Sequence, residues 1–177
     1  MRKREKLAGS KAYRLRFEAE KPKPPSMLRH TESAADALSD VLADAAFRNG
    51  LDVKKSEIHG MSQRGGSVAS DVRFGDRVDS PMIPAGEVDY LVVVAPDQVE
   101  VNRHVLKAGG QLISPDSLAK ASGKLQAKSI NVVLLGVLSA SLDIPVPVWE
   151  DAIRGNFADK HHRLNLEAFH QGRQAVA

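Results

Sequence analysis

The stretch Val88-Asp89-Tyr90-Leu91-Val92-Val93-Val94-Ala95-Pro96-Asp97-Gln98-Val99-Glu100, continuing to Gly109-Gly110-Gln111-Leu112-Ile113-Ser114, decides the fold class. Val88 to Ala95 is nearly continuous, apolar and β-branched, the composition of a strand covered on both faces. Pro96 suits the first turn of a helix, and Asp97 and Glu100 are favourable at its positive end. The spacing predicts a helix through Val101, Val105 and Leu106 that stops at Gly109-Gly110, followed by a short strand from Gln111 to Ser114. Strand, helix and strand in that order make a βαβ crossover and a parallel pairing.

Downstream, Ser129 to Leu142 reads as a buried helix or a strand-to-helix transition, which periodicity alone does not separate. Trp149 to Phe157 and Leu164 to Gln171 are amphipathic helices. Upstream, Leu38, Val41, Leu42, Ala45 and Ala46 recur at helical spacing, with Ser33 placed as N-cap and Gly50 as the stop. Leu51 to Ile58 reads as a half-polar strand near an edge. Val68, Ser70, Val72 and Phe74 alternate with Ala69, Asp71 and Arg73 as a second strand. Gly75-Asp76 is a turn, and Val78 to Ile83 is a short extended piece closed by Pro84. The fold class expected is α/β: three layers, with a mixed, mainly parallel sheet and helices on both faces.

The 177 residues suit one domain. The net charge of +3 is unevenly placed. Residues 1–24 hold nine Lys and Arg against three Glu, whereas the remainder carries sixteen basic and nineteen acidic residues. Lys21-Pro22-Lys23-Pro24-Pro25 fits neither helix nor central strand, so residues 1–30 read as a flexible basic arm ahead of a domain spanning 31–177. The acidic body argues against nucleic-acid binding, although an arm acting alone would give steeply salt-sensitive association. The N-terminus lacks the apolar core of a secretory signal. The run Ile130 to Leu138 is too short to span a bilayer, and a soluble, cytoplasmic protein is expected. With no cysteine, this chain has no thiolate for a disulfide, a zinc site or an iron–sulfur cluster.

Between the two early strands lies the most polar glycine-rich segment, Ser56-Glu57-Ile58-His59-Gly60-Met61-Ser62-Gln63-Arg64-Gly65-Gly66-Ser67-Val68. It reads either as a solvated connection or as a binding loop. In the second reading, Arg64 and the backbone N–H groups near Gly65-Gly66 meet an anion or a partner backbone, and His59 donates a hydrogen bond or titrates near neutrality. The candidate binding residues are His59, Gly60, Met61, Gln63, Arg64, Gly65 and Gly66. Neither a Walker pattern nor a Gly-x-Gly-x-x-Gly fingerprint is present. His161, His162 and His170 lack a carboxylate at metal-site spacing and read as surface histidines. Asp36, Asp40 and Asp44 form a row at i, i+4, i+8 that reads as a solvated helix face in preference to one that meets basic residues on a partner. No catalytic or metal-ligating residue is assigned.

From about Ser39 onward the chain resembles the gamma subunit or domain family of the 2-oxoacid:ferredoxin oxidoreductases, and most of all the beta subunits of indolepyruvate:ferredoxin oxidoreductase. The likeness is carried by Glu57 to Val68, Val72-Arg73-Phe74-Gly75 and Ser80-Pro81-Met82-Ile83-Pro84. It continues in Leu106-Lys107-Ala108-Gly109-Gly110, Asn131-Val132-Val133-Leu134-Leu135-Gly136 and Asn165-Leu166-Glu167-Ala168-Phe169, in the family's order. The resemblance implies the fold of domain III of pyruvate:ferredoxin oxidoreductase. It also implies a heteromeric complex for oxidative decarboxylation of indolepyruvate and other aryl pyruvates to aryl-acetyl-CoA, in aromatic amino acid catabolism, with electrons passed to ferredoxin. Thiamine diphosphate, magnesium and 4Fe–4S clusters are then expected on a larger partner subunit, because this chain has no cysteine and no Gly-Asp-Gly start to a thiamine motif. This chain would line the substrate or CoA approach and be inactive in isolation. The alternative is a stand-alone anion- or nucleotide-binding α/β module.

One departure matters. Family members begin with a strand and a Gly-x-Gly-Gly-x-Gly loop, where this chain has His30-Thr31-Glu32-Ser33-Ala34-Ala35-Asp36-Ala37 behind the basic arm. The expectation is that the first strand and its phosphate-cradling turn are missing. A displaced reading frame upstream of the first helix is the other explanation, and reading the encoding DNA in all frames tests it.

Overall fold

A computed structural model of the chain describes residues 13–20, 34–59, 67–118 and 129–176. Five strands, β1 (Tyr13–Glu20), β2 (Asp52–His59), β3 (Ser67–Gly75), β4 (Val88–Val93) and β5 (Leu106–Ile113), form one sheet in the order β2-β3-β1-β4-β5. β1 pairs parallel with β4, and β4 with β5, while β3 is antiparallel to both β1 and β2. Four strands therefore run one way and β3 opposes them. Helices α1 (Ala34–Arg48), α2 (Val99–Asn102), α3 (Ile130–Ser139), α4 (Val146–Asn156) and α5 (Asp159–Gln174) complete the described residues, with short 3-10 turns on either side of α2 and at Pro115–Leu118.

Residues 13–20 depart from the expected arm: they form the central strand. Leu15, Phe17 and Ala19 alternate with Arg14, Arg16 and Glu18, the period-2 signature of a strand. Leu15 and Phe17 are fully buried, burial that contributes roughly 1.5–3 kcal/mol for each large apolar side chain. The charges that suggested a solvated arm lie on one face of that strand. The expected loss of the first strand is thereby corrected, since β1 occupies the place between β3 and β4. The proline cluster Pro22-Pro24-Pro25 and the proposed Ser33 cap lie outside the described residues.

The main core packs α1, α3, α4 and α5 on one face, around Leu15, Phe17, Val72, Phe74, Val92, Ile113, Trp149 and Phe169. A smaller cluster on the other face joins Leu91 and Val93 of β4 to Ile83, Val99 and Val105. Both faces are covered as expected, with α2 and its flanking turns as the thin layer. The crossover helix is shorter than its sequence suggests. It gives way to β5 at Leu106, because Gly109, at φ +75°, and Gly110 sit inside the strand at a register shift. Such a bulge uses glycine's freedom without ending the strand. The Val78–Ile83 piece is not a strand; Arg73 Nη1 donates to the carbonyls of Ser80 (2.8 Å) and Met82 (2.9 Å) and anchors it to β3.

α1 ends as expected. Gly50, at φ +82°, donates to Phe47 O (2.9 Å) and Leu51 N donates to Ala46 O (3.1 Å), a Schellman close. It turns the chain directly into β2, which is an edge strand as its polarity suggested.

Candidate functional site

The order of connections defines a crevice. From β1 the chain proceeds through α1 on one face toward β2, whereas from β4 it proceeds through α2 on the other face to β5. Ligands of α/β sheets bind where neighbouring parallel strands diverge in this way, outside their carboxyl ends. Here that point lies between β1 and β4, whose pairing ends at Glu18–Val93 with Val94 N donating to Glu18 O (3.0 Å).

At the same edge β2 ends and β3 begins. His59 is the last residue of β2 and pairs in register with Val68, and Glu20 of β1 pairs with Ser67. Of the candidate binding residues, His59 is thus placed by its backbone at the carboxyl edge. Gly60, Met61, Gln63, Arg64, Gly65 and Gly66 lie outside the described residues.

Two polar groupings near this edge escaped the sequence reading. On the α1 face, Ser70 Oγ donates to Asp36 Oδ1 at 2.7 Å, and Ser39 Oγ donates to the Asp36 carbonyl at 2.8 Å. Asp36 and Ser70 are both buried, at 8% and 0% exposure. The aspartate row is therefore not a solvated face. Asp36 is tied to β3, Asp40 pairs with Lys55 of β2 (2.6 Å), and Asp44 pairs with Arg48 (2.8 Å). Packing of α1 across β2 and β3 turns the row toward groups of this same chain.

On the opposite face, Arg16 clasps Asp71 with Nε–Oδ1 at 2.6 Å and Nη2–Oδ2 at 2.8 Å. This bidentate pair lies directly across the β1–β3 register, the geometry in which a guanidinium binds a carboxylate most firmly. The hydrogen bond to Asp71 holds the Arg16 pKa above its ordinary value. Glu18, two residues on, is 3% exposed. Burial pushes its carboxyl up to about 7, Asp71 adds to the rise, and Arg16 opposes it. Its charge within a segment read as an arm concealed it; the only signal was the alternation of residues 13–20.

The histidines serve local structure. His162 Nε2 lies 2.7 Å from the Phe157 carbonyl, and His170 Nε2 lies 2.9 Å from Glu150 Oε1. Among the described residues, no group of three or more His, Asp or Glu side chains could hold a metal ion, and the sequence has no cysteine. These donors do not fit an iron–sulfur cluster or a magnesium–diphosphate site. No helix among the described residues is long and apolar enough to cross a membrane.

Residues 35–122 match the family model of the pyruvate ferredoxin/flavodoxin oxidoreductases. Indolepyruvate oxidoreductase subunit IorB of Archaeoglobus fulgidus is 31% identical, over 78% of this chain and 88% of its own length. The subunit of the same name from Thermococcus kodakarensis is 32% identical over the same shares. Among solved structures, the gamma subunit of a keto/oxoacid ferredoxin oxidoreductase from Geobacter sulfurreducens has the same fold, with a TM-score of 0.71 at 20% identity. That match covers 94% of this chain and 98% of the other. The 2-oxoglutarate:ferredoxin oxidoreductase of Magnetococcus marinus, solved with 2-oxoglutarate, coenzyme A and succinyl-CoA bound, also has a TM-score of 0.71. It is 18% identical, and the match covers 95% of this chain and 31% of that one.

Proposed function

This chain belongs to the family of the indolepyruvate oxidoreductase subunits IorB, within the pyruvate ferredoxin/flavodoxin oxidoreductases, and on that premise we propose that it lines the CoA and substrate approach of an indolepyruvate:ferredoxin oxidoreductase. It is a subunit of a 2-oxoacid:ferredoxin oxidoreductase, and its partner is a larger, cofactor-bearing subunit. The reaction is oxidative decarboxylation of indolepyruvate or a related aryl pyruvate to the aryl-acetyl-CoA thioester, with two electrons leaving to ferredoxin. Thiamine diphosphate with magnesium supplies the decarboxylation chemistry and 4Fe–4S clusters carry the electrons. These groups reside on the partner, because this chain has no cysteine for a cluster and no Gly-Asp-Gly start to a thiamine motif. The complex works in the cytoplasm.

What supports the reading is that β2 ends at His59 and β3 begins at Ser67 on the same carboxyl edge as the β1–β4 crevice. Cationic and N–H-rich groups at such an edge meet phosphates and carboxylates. Arg64, with the backbone of Gly65 and Gly66, binds the anionic end of the incoming CoA, and His59 hydrogen-bonds to it. Met61 and Gln63 contact the ligand or the partner backbone alongside. In this role the chain orients a reactant and contributes no reacting atom.

Affinity purification of the tagged native chain tests the assignment. It should bring down a larger subunit that contains iron and thiamine diphosphate. Recovery of the chain alone, with CoA or a nucleotide bound, would favour the stand-alone module instead.

A further inference from the structure

We propose that the α2 side of the sheet is the docking surface for the larger subunit, with Ile58, Met82 and Val101 entering the contact. This rests on the reading that the chain works beside such a subunit, and it adds which of its two faces is turned inward.

The two faces are finished differently. α1, α3, α4 and α5 cover one of them. Their outer sides are laced with exposed ion pairs, Arg48 with Asp44, Arg154 with Glu150 and Asp151, and Arg163 with Glu167. Helices so patterned are built to face water. Among the described residues, the other face carries the short α2, the turns beside it and the chain from Val78 onward to β4. That chain is tied down over the sheet. Val78 N donates to Asp52 Oδ2 (2.8 Å), and Arg73 Nη1 holds the carbonyls of Ser80 and Met82.

Five large hydrophobic side chains are exposed among the described residues, and three of them lie on this side. Ile58, 49% exposed, stands directly across from Ala69, which shares its face with Glu18. Met82, 73% exposed, sits where Arg73 holds its carbonyl. Val101, 63% exposed, is turned outward from α2, whose Val99 packs toward the sheet. From β2 to β4 is three strand spacings, roughly 14 Å, and from the level of Ala69 to that of Arg73 is roughly 13 Å along β3. With the side chains around them, points so spaced span one partner's share of a standard interface, about 800 Å².

The chemistry of this face points to its occupant. Arg16 is neutralised by Asp71, Arg14 by Glu87 and Lys54 by Asp52. Arg73 has no carboxylate partner among the described residues; its bonds go to carbonyls. Apolar tips, a methionine among them, beside an arginine and internally paired charges have the composition of a buried protein contact. The surface that fits is apolar, with one carboxylate placed to meet Arg73. The fold itself also occurs as 31% of a longer chain, so it serves as one part of a larger body.

The test measures association of the full chain, native and variant, with the immobilised larger subunit. Ile58→Glu, Met82→Glu and Val101→Glu alter exposed positions, so each free chain should melt as the native chain does. Each should weaken association roughly tenfold or more, because the new carboxylate is buried on docking. Phe47→Glu, exposed on α1 on the helical side, should associate as the native chain does. Native-like association of all three variants, or a loss confined to Phe47→Glu, would overturn the docking face and leave the subunit reading standing. A dimer of the isolated chain that the three substitutions dissociate, while the complex still assembles, would give the face to a second copy and overturn the proposal. Failure of the native chain to bind the larger subunit would overturn the subunit reading, and the docking face with it.

Discussion

Ser70 and Asp36 are 34 residues apart in sequence, yet the Ser70 hydroxyl donates to the Asp36 carboxylate at 2.7 Å. The bond joins the first turn of α1 to β3 beside the carboxyl edge of the sheet. Both groups are buried, so removing the donor takes a buried hydrogen bond from the carboxylate. Ser70→Ala should cost about 1–2 kcal/mol, read as a lower urea midpoint with an unchanged slope. Asp36→Ala, which removes all the bonds made by that side chain, should cost more.

Gly136 of α3 and Gly172 of α5 let two helices touch backbone to backbone. A Cβ built on Gly136 would lie 3.0 Å from Gly172 Cα and collide with the Phe169 carbonyl oxygen; one on Gly172 would collide with the carbonyl oxygen of Val133. Neither obstacle is a movable side chain. Gly136→Ala and Gly172→Ala should each cost roughly 3 kcal/mol or more by overpacking. Gly155→Ala in α4 is the control. There a Cβ would meet only the flexible ends of Arg48 and Asp44, at 3.1 and 3.3 Å, and the gain in helix propensity should leave stability unchanged or raised by up to about 1 kcal/mol. Chemical denaturation of the three variants side by side decides this.

Glu18 gives the fold a pH dependence of definite sign. Its folded value, about 7, lies above its ordinary 4.5. Below the lower value both the folded and the unfolded states are protonated and there is no penalty. Between the two values the unfolded chain releases its proton while the folded one retains it, so stability falls as pH rises and levels off above about 7. Glu18→Gln removes the titration. The variant should be more stable than the native chain by on the order of 3 kcal/mol near pH 8, with the difference vanishing near pH 4. Urea unfolding at the two pH values reads the difference directly.

Arg64 separates binding from chemistry. If it holds the anionic end of CoA and touches no reacting atom, Arg64→Ala in the complex should raise the KM for CoA about tenfold. kcat should stay within about a factor of two. A loss confined to kcat would show that the arginine acts in the reaction step.

Much of this architecture was legible in the sequence. Val88 to Ala95 is apolar enough to be read as a buried strand, and Gly50 marks the close of α1 because its left-handed conformation is one that few other residues accept. Where reading failed, tertiary context overrode a local signal. Gly109-Gly110 looked like a helix stop but forms a bulge, since the pairing with β4 holds the chain extended on either side. Arg14, Arg16 and Glu18 looked like a solvated arm, because partners 55 and more residues away, such as Asp71, are invisible to local composition. The aspartate row was misjudged similarly: Lys55 and Ser70, which receive it, come from other elements. At the candidate site the residue types were readable, whereas the β1–β4 crevice emerges only from the order of the strands.

The central claim is that this chain shapes a site whose redox chemistry belongs to a partner. The most direct measurement is viologen-dye reduction by the purified chain, by the larger subunit, and by the two together, with indolepyruvate and CoA supplied. Dye reduction in the mixture, with none from this chain alone and no iron bound to it, is the predicted result. Indolepyruvate- and CoA-dependent reduction by this chain alone would contradict the account.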